Sequence, residues 1–318
     1  MIDKIKDYIE NNTNSKVLTD ELMKNHTTYG IGGPADLFVL PSNKEDLIKV
    51  FEISKEYNQK INVVGSGSNL LVSDNGVRGI IICIKDCLKS LKVEDNKIYA
   101  ECGIMLGKLV KNSIKNNLKG LENLIGVPGT LGGALIMNAG AWGGEISNCL
   151  ESVELIDPDK NEVVMLSKSE IDFSYRSSSF KNGSILLSAL FDMEYSDKQI
   201  IEDSSKIAQF GRKDTQPLNH RSAGSVFKNP SKEKPAGMLI DKAGLKGLTI
   251  GNAQISEKHA NFFINKGNAK ANDMFMLIKK AKNTVKEKFD VDMSLEVKLM
   301  GFEEGEIDSL WNTFKENI

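Results

Sequence analysis

The sequence has few of the residues that mark secreted, metal-binding or polyanion-binding proteins. Four cysteines and three histidines occur in 318 residues, and no cysteines form a C-x-x-C pair. This scarcity predicts free thiols in a reducing cytoplasm and no metal site. The 41 Lys and Arg residues against 43 Asp and Glu residues give a net charge of −2. Because nucleic-acid and anionic-membrane binders need a basic excess, neither function is expected.

Signals for secretion or membrane insertion are also missing. The N-terminal stretch MIDKIKDYIENN carries charges throughout and predicts a short amphipathic helix that buries Ile2, Ile5 and Ile9. Residues 123–144 form an uncharged stretch that is long enough for a membrane span, but they include seven glycines, a proline and two asparagines. Their low helix propensity favours a buried glycine-rich binding element instead.

The length allows two or three domains, and 40% hydrophobic residues suffice for a sizeable core. Helical and strand-like patterns alternate along the chain, which predicts an α+β fold. The predicted regions are two α+β units at 1–85 and 86–211, a third unit at 212–303, and a C-terminal helix at 304–318.

Local patterns predict a helix cap, a strand and the packing of the C-terminal helix. Ser42 and Glu45 match a capping box, which predicts a helix from there to about Tyr57. Residues 294–301 predict a strand that carries Glu296. The C-terminal helix is expected to pack Leu310, Trp311 and Phe314 against the body.

A first glycine loop follows the predicted strand 61–65. It lacks the third glycine of a Rossmann fingerprint and the Gly-Lys-Ser/Thr of a P-loop. Its glycines, hydroxyls and amide could still form a nest for a phosphate or pyrophosphate, although an ordinary tight loop is the alternative. The residues of this loop are Gly65, Ser66, Gly67, Ser68, Asn69 and Leu70.

A second glycine-rich element has the stronger pattern. Pro128 fixes a turn, paired glycines remove the Cβ barrier, and Thr130 offers a hydroxyl, so the main chain could lie against a planar or polyphosphate ligand. A glycine-packed helix crossing is the alternative. Two nests in adjoining domains would suit an extended dinucleotide. The candidate residues are Pro128, Gly129, Thr130, Gly132, Gly133, Ala134, Gly140 and Ala141.

Three residues could take part in chemistry, although each also has a plainer interpretation. Arg176 offers a permanent planar cation, but surface arginines are usually solvated. Ser225 has small neighbours, yet no histidine is placed to activate it, which argues against acyl-enzyme chemistry. Glu296 is the acid of an apolar strand and could simply face solvent.

Taken together, seven ordered segments resemble the UDP-N-acetylenolpyruvoylglucosamine reductase (MurB) family. The resemblance extends from about Asn25 to Gly301. The segments are NHTTYGIGGPAD, VVGSGSNLLVSD, GVPGTLGGALIMNAGAWGGEI, FSYRSSSFK, SAGSVFKNP, AGMLIDKAGLKG and LEVKLMG.

This resemblance implies a two-part FAD-binding region of the p-cresol methylhydroxylase type plus a substrate domain: the units at 1–85 and 86–211 would be FAD-binding subdomains, and 212–303 the substrate-binding domain. It assigns non-covalent FAD to the two glycine elements and the catalytic roles to Arg176, Ser225 and Glu296. Substrate contacts are assigned to Tyr175, Lys228 and Asn229. The short segment between Arg176 and Ser225 resembles the shorter type of the family. Two positions depart from it: Arg221 stands where proline is frequent, and Lys298 where arginine is frequent.

The resemblance also implies the reaction. NADPH would reduce FAD, and hydride would pass from flavin N5 to C3 of the enolpyruvyl group. Arg176 and Glu296 would then stabilise the charge at C2, and Ser225 would protonate it. Two alternatives stay open: another FAD-dependent oxidoreductase with the same cofactor fold, or a non-catalytic flavin or sugar-nucleotide binding module. No obligate protein partner is expected.

Overall fold

A computed structural model describes residues 2–310. Within them the α-helices are α1 (Ile2–Asn12), α2 (Lys44–Glu56), α3 (Leu106–Lys115), α4 (Leu131–Ile136), α5 (Lys198–Thr215), α6 (Ala236–Lys242), α7 (Ala271–Phe289) and α8 (Glu304–Ser309). Short 3-10 helices lie at Met23–Asn25, Glu122–Leu124, Ile146–Cys149 and Lys168–Glu170.

The strands alternate with these helices along the chain. They are β1 (Lys16–Leu22), β2 (Pro34–Leu40), β3 (Ile61–Val64), β4 (Leu70–Val72), β5 (Val77–Cys83), β6 (Leu91–Glu94), β7 (Lys97–Glu101), β8 (Leu118–Lys119), β9 (Gly140–Ala141), β10 (Gly144–Glu145), β11 (Leu150–Asp157), β12 (Glu162–Ser167), β13 (Phe173–Ser174), β14 (Ser177–Ser178), β15 (Ile185–Asp192), β16 (Glu194–Tyr195), β17 (Thr249–Ile250), β18 (Ala253–Ile255), β19 (Phe263–Asn265) and β20 (Lys298–Met300). This content confirms the α+β class.

The described chain divides into two compact units. The first unit contains residues 2–19, 37–66 and 79–214, and the second contains residues 20–36, 67–78 and 215–310. The second unit thus combines two stretches of the predicted first region with the described residues after 214. The separation of the first 211 residues into two subdomains stays a prediction.

An antiparallel sheet in the order β12-β11-β15-β7-β6 dominates the first unit. Its central strand β15 reads ILLSALFD and is buried along almost its whole length. A nearly continuous apolar run indicates a strand covered on both faces, which explains the central position of β15. A second sheet has the order β1-β2-β5-β3, and β3 lies parallel to β5.

The cap of α2 differs from the predicted one. Asn43, not Ser42, is the N-cap residue: its side-chain oxygen accepts a hydrogen bond from the Asp46 amide at 2.8 Å. Ser42 instead donates to the carbonyl of Asn14. Both residue types cap helices well, so the choice follows from the extended backbone of Asn43, which sequence alone does not reveal.

The second unit combines the small antiparallel sheet β17-β18-β19 with the helices α6 and α7. Tyr29, Phe227 and Phe263 are fully buried in its core. A parallel pair joins β20 to β4, with Lys298 opposite Leu70 at one end. The chain on either side of that pair carries the Asn69 and Glu296 positions that matter below.

One predicted C-terminal element is shorter than expected, and another lies partly outside the described residues. The strand predicted at 294–301 covers only Lys298–Met300. The amides of Glu296 and Val297 both point to the Val226 carbonyl, at 2.8 and 3.3 Å, so a regular ladder does not form there. The last described helix is α8, and Leu310 after it is 1% exposed in the core. Trp311 and Phe314 lie outside the described residues.

The uncharged stretch 123–144 contains no long helix. Its longest helix is α4, with six residues. In the described part of the chain, every helix is too short or too polar to cross a bilayer. All four cysteines are free; Cys83 and Cys102 are buried, whereas Cys87 and Cys149 are only half-buried. Burial raises the pKa of Cys87 to about 12.

Candidate active site

In the first unit, the start of the first glycine loop lies against the second glycine element. Gly65 follows β3 directly, and a Cβ at this position would lie 2.2 Å from Thr130 Oγ1. Only glycine therefore allows this close approach. The next side chain, Ser66, has a buried hydroxyl without a hydrogen-bond partner among the described residues. This close contact between Gly65 and Thr130, together with the adjoining unpaired hydroxyl of Ser66, is called the glycine recess below.

The second glycine element combines a packing glycine with an open one. A Cβ at Gly132 would lie 3.3 Å from the Cβ and carbonyl oxygen of Cys102, whereas Gly133 is exposed and its nearest neighbour is Thr130 Oγ1 at 3.7 Å. Thr130 occupies the N-cap position of α4 without a side-chain cap bond. Gly132 thus packs closely against Cys102, and Gly133 leaves space for a ligand.

These features fit a bound flavin dinucleotide. Gly133 provides exposed backbone that a ligand can approach closely, and Ser66 provides a buried hydroxyl that needs a partner. Asn138, which follows α4 in the sequence, is fully buried and also has an Oδ1 without a hydrogen-bond partner among the described residues. Buried polar atoms rarely stay unpaired, so a ligand with several polar groups suits these positions.

In the second unit, the rest of the first loop contacts the chain before Tyr29. Gly67 has a φ of +64°, and its Cβ would lie 2.0 Å from the His26 carbonyl oxygen. The Thr28 amide donates to the Gly67 carbonyl at 3.2 Å. Asn69, predicted to contact the cofactor, donates its side-chain amide to the Glu296 carbonyl at 2.9 Å. Its cofactor contact stays a prediction.

Arg176 belongs to the first unit and lies at the tip of the hairpin β13–β14. Tyr175 and Arg176 form the two-residue turn, and Arg176 has a φ of +55°. Its Nη2 donates to the Gly140 carbonyl at 2.7 Å, and its guanidinium lies 5.0 Å from the centroid of the Tyr175 ring. Asn138 supports this hairpin by donating to the Ser174 carbonyl at 3.1 Å. The guanidinium is therefore fixed beside the second glycine element.

Ser225 belongs to the second unit and follows Gly224, which has a φ of +75°. Ser225 forms a single antiparallel bridge with Phe262. The next amide, Val226 N, donates to the Asn261 carbonyl at 2.9 Å. The serine is half-buried, in an irregular segment held by few backbone bonds.

Glu296 lies on the other side of the same segment. Its amide donates to the Val226 carbonyl at 2.8 Å, so Ser225 and Glu296 lie on hydrogen-bonded neighbouring segments of the second unit. Glu296 is half-buried. Its carbonyl is held by Asn69, as described above. Both predicted acid–base residues thus share one backbone framework.

The predicted substrate-contact residues also have structural roles. The Lys228 amide donates to the Ser294 carbonyl at 2.9 Å, which extends the pairing next to Glu296. Asn229 Oδ1 accepts a hydrogen bond from the Ala236 amide at 3.0 Å, at the start of α6. Tyr175 is 46% exposed. Their substrate contacts remain predictions.

The two departures from the family pattern have simple local settings. Arg221 lies across Gly30, where a Cβ would meet its guanidinium at 2.0 Å, and its carbonyl accepts from the Asn265 amide at 2.9 Å. A polar cleft of about 640 Å³ in the second unit is lined by this arginine together with Lys24, Thr27 and other residues. Lys298 is exposed at the start of β20.

Sequence reasoning missed Asn261, which is 2% exposed and bonds directly to the Ser225 segment. It stands in NFFIN, an apolar run that predicts only a strand. An asparagine within such a run is the one signal that could have drawn attention to it, because buried amides need partners.

Comparisons with known proteins agree with this arrangement. Residues 216–300 match the family model of the UDP-N-acetylenolpyruvoylglucosamine reductase C-terminal domain, and residues 35–166 match that of a FAD binding domain. A UDP-N-acetylenolpyruvoylglucosamine reductase from Clostridium tetani is 45% identical over 301 residues, which are 94% of this chain and 97% of that protein. The one from Clostridium novyi is 44% identical over 283 residues, 89% of this chain and 91% of that protein.

A solved structure supports the same conclusion. The crystal structure of UDP-N-acetylenolpyruvylglucosamine reductase from Thermus caldophilus has a TM-score of 0.76 and 33% identity, over 90% of this chain and 99% of that one. These matches confirm the predicted resemblance and the FAD-binding fold class. The chain belongs to the UDP-N-acetylenolpyruvoylglucosamine reductase family.

Proposed function

We propose that this protein reduces UDP-N-acetyl-enolpyruvoylglucosamine to UDP-N-acetylmuramate, a step of peptidoglycan precursor synthesis, with NADPH as reductant. The observation that carries the proposal is the hydrogen bond from the Glu296 amide to the Val226 carbonyl. It pairs the backbone of Glu296 with the residue that follows Ser225, within a chain that belongs to this family. The predicted cytoplasmic location and the lack of an obligate partner stay predictions.

The chain offers groups that would hold FAD without a covalent bond. The hydroxyl of Ser66 would bond to polar atoms of the dinucleotide, and the exposed backbone at Gly133 would lie against it. Bound FAD would supply the hydride chemistry, accepting hydride from NADPH and delivering it to C3 of the enolpyruvyl group. Neither glycine element contains a histidine or cysteine that could tether a flavin.

The protein's own task is to stabilise and then quench the charge that hydride addition creates. Negative charge develops at C2 and spreads into the adjacent carboxylate as an enediolate. We assign the carboxylate to Arg176, whose guanidinium is already oriented by the Gly140 carbonyl and the Tyr175 ring. A pre-oriented cation costs little reorganisation when the charge appears. Glu296 in its neutral form would donate a hydrogen bond to the same oxyanion.

Ser225 would deliver its hydroxyl proton to C2 and complete the lactyl group. An alcohol can act as the acid here because the acceptor is a strongly basic carbon. The serine alkoxide left behind would be favoured by the positive charge of Lys228, three residues away in the chain. The uridine, phosphates and sugar of the substrate would provide the binding energy that aligns the reacting atoms.

An anaerobic titration tests the whole proposal. NADPH should bleach the visible flavin absorbance of the purified protein, and adding the enolpyruvyl sugar nucleotide should restore it with formation of UDP-N-acetylmuramate. Heat denaturation should release the yellow colour into the supernatant, because the flavin is not tethered. A protein that binds FAD but is not reoxidised by this substrate would exclude the proposed reaction and favour a binding module.

A further inference from the structure

The segment that carries Ser225 is held by very few regular backbone bonds. Among the described residues, its strand-like pairing is limited to isolated bridges, one at Ser225 with Phe262 and one at Phe227 with Leu295, and to separate backbone bonds at Val226 and Lys228. An isolated bridge fixes a chain less firmly than a ladder, because neighbouring bonds do not support it. The position of a half-buried serine in such a segment therefore depends on whatever else anchors the adjoining peptides.

The anchor is the side chain of Asn261. Its Oδ1 accepts a hydrogen bond from the Phe227 amide at 3.0 Å, and its Nδ2 donates to the Phe227 carbonyl at 2.8 Å. Its backbone carbonyl accepts from the Val226 amide at 2.9 Å. One residue thus makes three bonds to two consecutive residues. Only one orientation of the amide satisfies both side-chain bonds, because Phe227 offers one donor and one acceptor.

The surroundings make these bonds hard to replace. Asn261 is 2% exposed and the Phe227 side chain is fully buried in the second core. Water cannot readily take over a buried backbone donor and acceptor, so losing the amide leaves both groups of Phe227 unpaired. The Val226 carbonyl in the same short segment receives the Glu296 amide. A shift of this segment would therefore move both Ser225 and Glu296.

We propose that Asn261 is a positioning residue for proton transfer: its amide fixes the peptide that sets Ser225 and Glu296 relative to each other. This inference rests on the proposed function. Asn261 makes its bonds to the backbone and has no assigned contact with substrate or cofactor. Its loss should slow protonation of the substrate without slowing flavin reduction, since misplacement by about 1 Å can cost up to ~10²-fold in rate.

Asn265 provides a matched control. It is also buried, at 5% exposure, and lies four positions further along the same stretch. Its side chain bonds the Tyr29 carbonyl and the amides of Gly267 and Ala269, not the Ser225 segment. A purely structural effect of removing a buried asparagine should therefore occur in Asn265→Ala as well as in Asn261→Ala.

The first measurement compares both half-reactions in the FAD-loaded protein by stopped flow. We expect Asn261→Ala to reduce the rate of flavin reoxidation by substrate about 10- to 10²-fold, with a larger solvent deuterium isotope effect, while reduction by NADPH changes less than ~2-fold. Asn265→Ala should affect both half-reactions equally. Amide hydrogen exchange provides a readout without turnover: peptides covering 224–229 should exchange faster in Asn261→Ala only.

Asn261→Asp keeps the size and shape of the side chain. It therefore tests the positioning role of the amide if the alanine variant does not fold. Its ionised carboxylate would oppose the Phe227 carbonyl, whereas the protonated form regains a donor. Burial raises the pKa of such a carboxyl, so reoxidation should recover as pH falls through that pKa. The ionisable residues next to this position are His259, Lys228 and Glu296, and wild type and Asn265→Asp share them. Recovery of the reoxidation rate at low pH must therefore be absent from wild type and from Asn265→Asp.

The inference is overturned if Asn261→Ala, or Asn261→Asp at high pH, reoxidises at the wild-type rate. Equal slowing of both half-reactions would also overturn it, as would unchanged exchange of 224–229. These results differ from failure of the proposed function, in which the wild-type flavin itself would not be reoxidised by the enolpyruvyl substrate.

Discussion

The glycine recess of the first unit and the Ser225 segment of the second unit reach precise geometry in opposite ways. The recess depends on a missing side chain: Gly65 lets the backbone come within reach of Thr130, where any Cβ would collide. The Ser225 segment depends on an added one, since Asn261 supplies the bonds that a regular strand would have made. Steric exclusion sets the geometry of the first region, and hydrogen bonds set the geometry of the second.

This difference determines how each region should respond to mutation. A recess shaped by sterics is damaged by adding atoms and is repaired by removing the atoms they meet. A segment held by buried hydrogen bonds is damaged by removing a polar atom and is repaired only by an equivalent donor or acceptor. Substitutions in the two regions should therefore separate cofactor binding from substrate chemistry.

The largest expected effect is that of Ser225→Ala. Without the hydroxyl proton, reoxidation of the reduced flavin by substrate should slow by about 10²- to 10⁴-fold, the usual range for a positioned proton donor. Reduction by NADPH should stay nearly unchanged, because the recess of the first unit is untouched. Stopped-flow absorbance measures both steps, with the exposed Ser231→Ala as a control. Two unchanged half-reactions would remove Ser225 from the mechanism.

Glu296 should show a smaller and graded effect. Glu296→Ala removes the donor to the developing oxyanion and should lower the reoxidation rate by about 10²-fold. Glu296→Gln retains an N–H donor of similar shape, so its loss should be distinctly smaller. Rapid-quench measurement of UDP-N-acetylmuramate formed in one turnover distinguishes the two variants. Equal losses would mean that hydrogen bonding by this side chain is not its role.

The two glycine elements are easier to recognise in the sequence than the hydrogen bonds that hold the Ser225 segment, and the reason is physical. Clustered glycines are visible in composition, and the backbone freedom they give is a property of single residues. Most helices and strands were also recognisable from their apolar spacing. The bond from Asn261 to Phe227 joins residues 34 positions apart, and no local pattern encodes such a pairing. As single residues Ser225 and Glu296 also have plainer interpretations, and only the family resemblance assigned them catalytic roles.

The misplaced local predictions have the same origin. Ser42 and Asn43 are both good cap residues, and the choice between them depended on tertiary contacts of Ser42 with Asn14. The strand predicted from residue 294 begins only at Lys298, because the amides of Glu296 and Val297 share the Val226 carbonyl and do not join a ladder. Local propensity allowed both predictions, and contacts with distant parts of the chain overruled them.

Gly65→Ala tests the steric half of the comparison. The new methyl group would lie 2.2 Å from Thr130 Oγ1, so the two glycine elements must move apart. We expect FAD affinity to fall and the free energy of unfolding to decrease by about 1–3 kcal/mol, the usual cost of overpacking. Flavin fluorescence during dialysis and urea unfolding measure the two quantities.

Two further variants make this test specific. Adding Thr130→Ala to Gly65→Ala removes the colliding atoms and should restore part of both losses. Gly107→Ala, in α3, places its methyl group where nothing lies within 4 Å and should be neutral or stabilise by up to about 1 kcal/mol. A Gly65→Ala protein as stable and as yellow as wild type would show that the recess tolerates a Cβ.

The smallest expected effect concerns His259, which supports the corner that holds Asn261. Its Nδ1 lies 3.2 Å from the Asn261 amide, which donates to it, and its ring contacts the edge of Phe262. Burial, with a contribution from Lys246, lowers the pKa of His259 below the ordinary 6.5. The unfolded chain therefore binds a proton more readily, and stability should be lost as pH falls from about 6.5 towards the lower folded-state pKa.

His259→Gln should remove this part of the slope of the free energy of unfolding against pH, at most about 1.4 kcal/mol per pH unit, in urea unfolding curves measured across that range. The exposed His220→Gln controls for the loss of a histidine as such. An unchanged slope in His259→Gln would mean that the acid sensitivity of the second unit arises elsewhere.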